Sequence, residues 1–432
     1  MLFVTALFAC APALDGDVRM VHGGGTFVRV SWNTTIAAHS RLRWGTDPER
    51  VVDGGDGVEH AAMLVGLLPQ ATEPVTVEVL DGDQVVDTLA TEVTADPAPP
   101  QFPVFSRSGG DEDPGWFVSS LFGSPQGAAI FSTEGAPLWW SFNDTKGVAI
   151  TDAQLDLAHQ KVRYLEFTPN PLSPDDAAAG IGRILEEDPF DGTTTEIAIA
   201  EGHHAFAQLP DGALAWLVSD FRDVDGFWAR GDKLVERDAD GIERDLWSAW
   251  DSFSYDATID DDGFGWTHAN CVTWDEATQT YLVSLRNESA IVAVGRDGQV
   301  RWTFGGPTPS FTMTETRPVL HQHRPRLYDD GATLLVFDNG EAGSQVAGYA
   351  LDPAAGTAVE QVRVDQGLQA YSLGDVERLA NDDLVVTWGT AGALSAVGPD
   401  GTVRWTLSGD LGSAFGFGQF LQSGDLLLGA EL

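Results

Sequence analysis

Basic residues are scarce in this sequence, which has 24 Lys and Arg against 65 Asp and Glu and a formal net charge of -41. So acidic a surface repels nucleic acid and anionic membranes, and neither is expected as a partner. It is typical of a soluble extracellular protein. An anionic substrate would need a local basic patch to overcome the field of the whole protein.

Cysteine is almost absent, since the 432 residues contain only Cys10 and Cys271. Leu7-Phe8-Ala9 followed by Cys10 resembles a bacterial lipoprotein cleavage box, although a basic start is missing and Phe8 is bulky. Residues 1–17 are therefore interpreted as a signal or lipoprotein-like segment with Cys10 as the lipidation site, the alternative being a frayed apolar terminus. We expect an exported protein at the cell surface, in the periplasm or outside the cell. Cys271 then has no partner, which excludes a disulfide framework, and is expected to be a small buried residue.

Later apolar runs are too short to span a bilayer. Residues 18–94 read as one small β domain whose strand order resembles a fibronectin III-like β-sandwich, and no chemistry is assigned to it. Four prolines in residues 95–103 predict a stiff linker and a domain boundary.

Glycine and tryptophan are abundant in residues 104–432 and follow a repeat. A turn, a short strand and a Trp recur at Trp139, Trp247, Trp302 and Trp405, and these units alternate with strand–turn–strand units. The period of roughly 50 residues is typical of four-stranded propeller blades. The sequence therefore predicts an all-β fold in which about six blades fit, with residues 418–428 completing the first blade and closing the ring.

Histidines recur at equivalent places in successive repeats. They lie in His203-His204, in His268-Ala269-Asn270 and in His321-Gln322-His323, each just before a strand–turn–strand unit. A single such His would more often be a surface or capping residue. Because the starts of innermost strands ring one mouth of a propeller's channel, the repetition instead favours a functional cluster.

Arginines accompany these histidines. Arg286 ends the second strand of the His268 repeat, and a hairpin would return it to the same mouth. Residues 317–326 hold three Arg and two His, a basic patch suited to an anionic substrate. The alternative for the flanking Arg residues is a solvated turn balanced by Asp329 and Asp330.

Two chemistries use such a set of residues. Three imidazoles would suit zinc, but no Asp or Glu stands at ligand spacing, and Arg286 would repel a cation. Binding of a tetrahedral oxyanion fits better, because Arg286 and Asn270 offer donors to its oxygens. One His can then protonate a leaving oxygen, and another can attack the central atom.

At these residues the sequence resembles the bacterial arylsulfotransferases that use a sulfate ester, not a nucleotide, as donor. The matching motifs are His203-His204, His268-Ala269-Asn270, Ser284-Leu285-Arg286, Gly298 to Gly306 around Trp302, Gln322-His323, and Phe337-Asp338-Asn339-Gly340. The resemblance covers residues 105–430 and implies a six-bladed β-propeller preceded by a smaller β domain. Two positions depart from the family, since Ala205 and Arg324 stand where an acidic residue is usual.

The resemblance implies ping-pong sulfuryl transfer from a phenolic sulfate to a second phenol, without a cofactor or metal. His323 would be the nucleophile that forms a sulfohistidine, and His268 and His204 would exchange protons with the phenol oxygens. Arg286 and Asn270 would hold the sulfate oxygens, and Phe264 and Trp266 are candidates for stacking on aryl groups. The remaining predicted substrate-binding residues are His203, His321 and Arg324.

Two other functions stay open at this point. One is a non-catalytic surface propeller that binds an anionic or sulfated ligand. The other is a histidine-metal hydrolase or oxidoreductase.

Overall fold

The computed structural model describes residues 11–46, 49–110, 115–143, 145–259, 263–313, 318–340, 343–410 and 413–422. Within these ranges the chain is all-β, as predicted, apart from the short helix α1 (Pro174–Ala179) and two 3-10 turns, Ala249–Asp251 and Gly389–Ala391. None of the described helices is long and apolar enough to cross a membrane. Cys10 and most of the predicted signal segment lie outside the described residues.

The N-terminal strands form one five-stranded sheet. They are β1 (Arg19–His22), β2 (Val28–Trp44), β3 (Arg50–Leu64), β4 (Thr72–Asp81) and β5 (Gln84–Thr94). The long β2 pairs first with β1 and β3 and then, beyond irregular pairing near His39, with β3 and β4. Because these strands belong to a single sheet, the fibronectin III-like sandwich is not confirmed, and it stays a prediction together with the boundaries at 18–94, 95–103 and 104–432.

This sheet packs directly on the rest of the chain. The ring of Phe27 lies 5.5 Å from that of Phe190, and the backbone N–H of Thr26 donates to the Leu138 carbonyl. Gly25 has a positive φ of 72°, and a Cβ there would come within 2.1 Å of the Leu138 oxygen. Only glycine allows so close an approach at this φ.

Within the described ranges, the other strands form six antiparallel units of four principal strands each, called sheets below, and a single parallel pairing, Asp152 with Phe417, joins the first two into one eight-stranded sheet. The first three sheets are β31 (Ser413–Gln422) with β7 (Gly115–Gly123), β8 (Gly127–Ser132) and β9 (Pro137–Phe142); then β10 (Ala149–Asp156), β11 (Lys161–Phe167), β12 (Gly182–Glu187) and β13 (Thr194–Ala198); then β14 (Gly202–Gln208), β15 (Leu214–Val224), β16 (Phe227–Arg237) and β17 (Glu243–Ser248).

The next three sheets are β18 (Ala269–Asp275), β19 (Thr280–Leu285), β20 (Ala290–Gly295) and β21 (Val300–Gly305); then β23 (His323–Tyr328), β24 (Thr333–Asp338), β25 (Gln345–Asp352) and β26 (Thr357–Val364), with β22 (Thr312–Met313) added at the outer edge; then β27 (Asp375–Arg378), β28 (Leu384–Thr387), β29 (Ala393–Val397) and β30 (Val403–Gly409), with β6 (Phe105–Gly109) outside β30.

The six sheets close into a ring. Their innermost strands β31, β10, β14, β18, β23 and β27 contact one another in a cycle, which is a propeller-like arrangement. Closure comes from β31, which pairs with β7 from Ser413–Gly123 to Gln422–Gly115. The predicted closing segment therefore pairs as expected up to residue 422, and its remainder lies outside the described residues.

The repeated Trp residues of the sequence pack in the outermost strands. Trp139, Trp247, Trp302 and Trp405 lie in β9, β17, β21 and β30, and all but the half-buried Trp302 are buried. Small residues take the inner positions, as Ala205 and Ala207 do in β14. Because the side chains between neighbouring sheets are small near the axis and large at the periphery, the sheets can pack closely at the centre and lie further apart at the outside.

A bulge interrupts most of the innermost strands near their starts. The pairing register shifts at Ile150/Ala153 in β10, His203/Phe206 in β14, Ala269/Cys271 in β18, His323/Arg326 in β23 and Phe415/Gly418 in β31. A β-bulge redirects the side chains beside it. We call the end of the ring where the innermost strands β10, β14, β18, β23 and β27 begin the mouth.

Candidate active site

Four of the predicted histidines lie at the mouth. His203 and His204 begin β14, His268 immediately precedes β18, and His323 begins β23. The φ angles of His204 and His268 are positive, 60° and 43°. Residues other than glycine adopt such angles only where the surrounding structure holds them, and this conformation is common at functional sites.

Three of these histidines and one carboxylate form a connected row, which we call the histidine chain: Asp232, His203, His204 and His268. The Nε2 atom of His203 lies 3.1 Å from Oδ1 of Asp232. The Nδ1 atoms of His203 and His204 are 2.9 Å apart, and the Nε2 atoms of His204 and His268 are 3.3 Å apart. The His268 ring also stacks on Phe264 at 4.6 Å.

Asp232, on β16, is buried beneath this row. Its Oδ2 atom accepts hydrogen bonds from the hydroxyl of Thr267 at 2.5 Å and from the backbone N–H of Ala269 at 2.6 Å. Burial opposes ionisation of Asp232, but the hydrogen bond and charge of His203, with Arg230 and Thr267, lower its pKa overall. The carboxyl is therefore ionised at neutral pH.

Burial keeps the paired histidines neutral. It lowers the pKa of His203, although Asp232 opposes the shift. The pKa of His204 falls further below its usual range because of burial and because His203, His268 and nearby arginine charge disfavour a second cation. Neutral imidazoles can accept as well as donate protons.

His323 is held by Asn339, which follows β24. The Nδ1 atom of His323 lies 2.7 Å from Oδ1 of Asn339. The Asn339 amide nitrogen donates to the carbonyls of Ala370 and Leu373, so its oxygen must face the imidazole as an acceptor. His323 therefore carries its proton on Nδ1 and a lone pair on Nε2. Burial lowers the pKa of His323 to about 3, with His268 and Arg286 adding to the effect.

Arg286 returns to the mouth as the hairpin predicted. It follows β19, its backbone N–H donates to the His268 carbonyl at 3.1 Å, and its guanidinium donates to Asn287 at 2.7 Å. Its positive charge is close enough to His323 to lower that residue's pKa. His321 is half-buried beside this group, and its backbone N–H reaches Ser289 at 3.4 Å.

Asn270 and Gln322 join the strands that carry the site. The amide nitrogen of Asn270 donates to the Gln322 carbonyl at 2.8 Å. The side chain of Gln322 donates to Ser284 and to the carbonyls of Leu285 and Ala290. These bonds fix the backbone immediately before His323. The predicted roles of Asn270, His203 and His321 in substrate binding stay predictions.

Arg324 lies deeper, in an ionic cluster inside the ring. It is 4% exposed, and its guanidinium lies 3.1 Å from Asp152 and 3.3 Å from Asp375. It also lies over the ring of Phe417 at 5.2 Å and near Cys271. Its charge is thus already engaged by two buried carboxylates, and its predicted contact with substrate stays a prediction. Arg317, at the start of the predicted basic patch, lies outside the described residues.

The two aromatic residues predicted to stack on aryl groups, Trp266 and Phe264, lie in different surroundings. Trp266 is fully buried and packs on Trp250 within the core between two sheets. Phe264 is half-buried and contacts His204 and His268 at the mouth. Of the two, the structure places Phe264 beside the histidines.

Sequence analysis missed Asp232 and Asn339 as site residues. Asp232 interrupts the buried stretch of β16, and a carboxylate in such a strand was an available signal. Asn339 was noticed only as part of a motif. Among the described residues, no three His, Cys, Asp or Glu side chains converge as metal ligands.

Solved structures resemble this chain at low identity. A protein of unknown function from Bacteroides caccae is 14% identical with a TM-score of 0.46, over 71% of this chain and 100% of that one. An inactive virginiamycin B lyase from Staphylococcus aureus with quinupristin is 10% identical with a TM-score of 0.42, over 74% and 100%. Regucalcin, a calcium-binding protein from Agrobacterium tumefaciens, is 16% identical with a TM-score of 0.39, over 59% and 72%. Likenesses this weak carry no argument about function.

Comparison with curated proteins returned no match. The model of one protein family, described as Arylsulfotransferase (ASST), matches residues 177–405, which is more than half of the chain. The matched span contains the histidine chain, Arg286 and His323. This chain belongs to the arylsulfotransferase family.

Proposed function

We propose that this protein transfers a sulfuryl group from a phenolic sulfate ester to a second phenol through a sulfohistidine on His323. The observation that carries the proposal is the state of His323. Its Nδ1 proton is committed to Asn339, which leaves the lone pair on Nε2, and burial lowers its pKa to about 3. A neutral, oriented imidazole nitrogen at the mouth of the ring is a competent nucleophile.

Arg286 supplies the positive charge that the sulfate needs. The chain is strongly acidic overall, and the charge of Arg324 is engaged by Asp152 and Asp375. The charge of Arg286 acts directly on His323, so a sulfate bound against Nε2 would lie within its field. A guanidinium there stabilises the negative charge on the transferring group.

His204 and His268 exchange protons with the phenol oxygens. In the first step the S–O bond of the donor breaks, an N–S bond to His323 forms, and the departing phenolate takes a proton from this pair. In the second step the acceptor's oxygen bonds to sulfur, the N–S bond breaks, and the acceptor's proton returns to the pair. The sulfate ester brings a negative charge to the mouth, which favours the initial protonation.

The test compares wild type with His323→Ala, using 4-nitrophenyl sulfate as donor, phenol as acceptor and no added nucleotide or metal. We expect a burst of 4-nitrophenol followed by turnover in the wild type, and neither in His323→Ala. A sulfonated His323 peptide should appear by mass spectrometry when the donor is supplied without acceptor. Matched folding of the two proteins is checked by their denaturation midpoints.

A second outcome points to a different function. Saturable binding of aryl sulfates without a burst or turnover in either protein would mean that the ring binds a sulfated ligand without catalysis. Turnover retained in His323→Ala would reject the sulfohistidine.

The finer architecture and the location of the protein belong to the same proposal. The six sheets are the blades of a six-bladed β-propeller, and the N-terminal sheet is the fibronectin III-like module. The chain is exported and lipid-anchored through Cys10, which follows the apolar residues 2–9. Fractionation of cells expressing wild type and Cys10→Ser tests the anchor, since loss of the lipid should release the protein from the membrane fraction.

A further inference from the structure

We infer that Asp232 is a positioning residue that sets the direction of every hydrogen bond in the histidine chain and so makes His204 the base for the acceptor phenol. The inference rests on the proposed function. Its starting point is geometric: Asp232, His203, His204 and His268 are joined end to end by contacts of 3.1, 2.9 and 3.3 Å.

The carboxylate decides the first hydrogen bond. Both Oδ2 contacts of Asp232 come from donors, Thr267 and the Ala269 N–H, so Oδ1 is left for His203. Among the described residues, neither Nε2 of His203 nor Oδ1 of Asp232 has a hydrogen-bond partner apart from this contact. A lone pair facing a carboxylate oxygen at 3.1 Å would be repelled, so Nε2 must carry the proton.

The remaining hydrogen bonds follow from the first. A neutral His203 protonated on Nε2 has a lone pair on Nδ1, so Nδ1 of His204 must donate to it across 2.9 Å. His204 then has its lone pair on Nε2, which faces Nε2 of His268 at 3.3 Å. The donors of His203 and His204 therefore both point toward Asp232, and His204 presents an acceptor, Nε2, on the side of His268.

This direction suits the second half of the reaction. When the acceptor's O–S bond forms and the N–S bond to His323 breaks, the phenol proton moves to Nε2 of His204. The positive charge on His204 is stabilised through His203 by the carboxylate, and Asp232 itself need not be protonated. The proton is then available to the next departing phenolate, so atoms and charge balance over one cycle.

Replacing the carboxylate by an amide reverses the direction of the hydrogen bonds along the histidine chain. In Asp232→Asn the Oδ atom must still accept from Thr267 and Ala269, so the NH₂ group faces His203. Nε2 of His203 then becomes the acceptor, Nδ1 donates to His204, and Nε2 of His204 carries a proton. The base is lost although the shape of the side chain is nearly unchanged.

The first measurement is the tautomer of each histidine by nitrogen-15 NMR of histidine-labelled protein at neutral pH. We expect His203 as the Nε2–H form and His204 as the Nδ1–H form in the wild type, and the opposite forms in Asp232→Asn. Resonances are assigned by loss in single His→Gln variants. An Nε2–H form of His204 in the wild type would overturn the inference, and this holds even if the variant does not fold.

The second measurement separates the two half-reactions in Asp232→Asn. The burst from 4-nitrophenyl sulfate should remain near one equivalent, because 4-nitrophenolate leaves without a proton. Steady-state turnover with phenol should fall by about 10²- to 10⁴-fold, the usual contribution of a general base. The loss should shrink for acidic phenols that are already ionised at the assay pH, which a merely structural defect would not produce.

Glu236→Gln is the matched control, because Glu236 is an equally buried carboxylate on the same strand whose partners are Arg296, Arg244 and Tyr281 and not a histidine. It should keep wild-type tautomers and turnover. Unchanged turnover in Asp232→Asn, or an equal loss in both variants at every acceptor pKa, would overturn the inference. A wild type with the expected tautomers but no burst would reject the sulfotransfer proposal and the role of His204 as its base, while leaving the hydrogen-bond direction standing.

Discussion

Asn339 accepts a hydrogen bond from Nδ1 of His323 at 2.7 Å while its own amide group is held by the carbonyls of Ala370 and Leu373. The amide is thus anchored by the loop before β27, and it orients an imidazole at the start of β23. The orientation of His323 thus depends on Asn339 of its own sheet and on the loop that leads into the next sheet.

Asn339→Asp should raise the pKa of His323, because a carboxylate beside Nδ1 favours the imidazolium form. The acid limb of the burst rate with 4-nitrophenyl sulfate should therefore move to higher pH than in the wild type. Asn339→Leu removes the acceptor without adding charge. It should slow the burst by about 10- to 100-fold, in line with lost orientation of a reacting group. Identical acid limbs in Asn339→Asp and wild type would contradict this prediction.

Acid should destabilise the fold through its buried histidines. The pKa values of His203, His204 and His323 lie below the value near 6.5 expected in the unfolded chain. Below pH 6.5 the unfolded chain binds protons that the folded chain does not, so stability falls as pH falls, for His323 until about pH 3. Each histidine contributes up to ~1.4 kcal/mol per pH unit.

Urea denaturation of wild type and His323→Gln between pH 7 and 4.5 measures how much His323 contributes to the pH dependence of the free energy of unfolding. The free energy of unfolding should fall less steeply with decreasing pH in His323→Gln. Parallel curves would show that His323 takes up a proton in the folded state.

Arg324→Met should strongly destabilise the protein. It leaves Asp152 and Asp375 buried without their cation, and breaking a buried ion pair in this way costs about 3–5 kcal/mol. Adding Asp152→Asn to Arg324→Met should recover part of the loss, because one uncompensated charge is then removed. Chemical denaturation of both variants measures this. Single and double variants that are equally stable would show that Asp152 is not the main partner.

Cys271 should be unreactive in the native protein. Burial raises the pKa of its thiol to about 12, and the thiolate is the form that reacts. Iodoacetamide should therefore label Cys10→Ser protein only after denaturation, as followed by mass spectrometry at neutral pH. Rapid labelling under native conditions would mean that the ring opens readily around Arg324.

The ring and the clustering of the histidines could be predicted from the sequence. In a repeated fold, equivalent residues of successive repeats lie at the same level along the axis of the ring. His203, His268 and His323 stand at the start of the same kind of strand, and closure of the ring brings such positions to one mouth. Detecting this pattern requires a comparison of several repeats, because a single such His would more often be a surface or capping residue.

Partners contributed by other strands could not be predicted in the same way. Asp232 is one of 65 acidic residues, and although it interrupts a buried strand, nothing in the sequence places it beside His203. Arg324 was predicted to bind substrate because no partner for its charge is evident nearby in the sequence. Its partner Asp152 lies 172 positions away along the chain. Cross-ring pairing of this kind has no local signature, so the structure was needed to locate it.

Ring closure also has a consequence for timing. β31 is the last described strand to be synthesised, and it brings Phe417 to within 5.8 Å of His323. A ribosome-bound chain carries every histidine of the site before this strand has emerged. The surroundings of His323 therefore stay incomplete during synthesis until β31 has emerged and paired with β7.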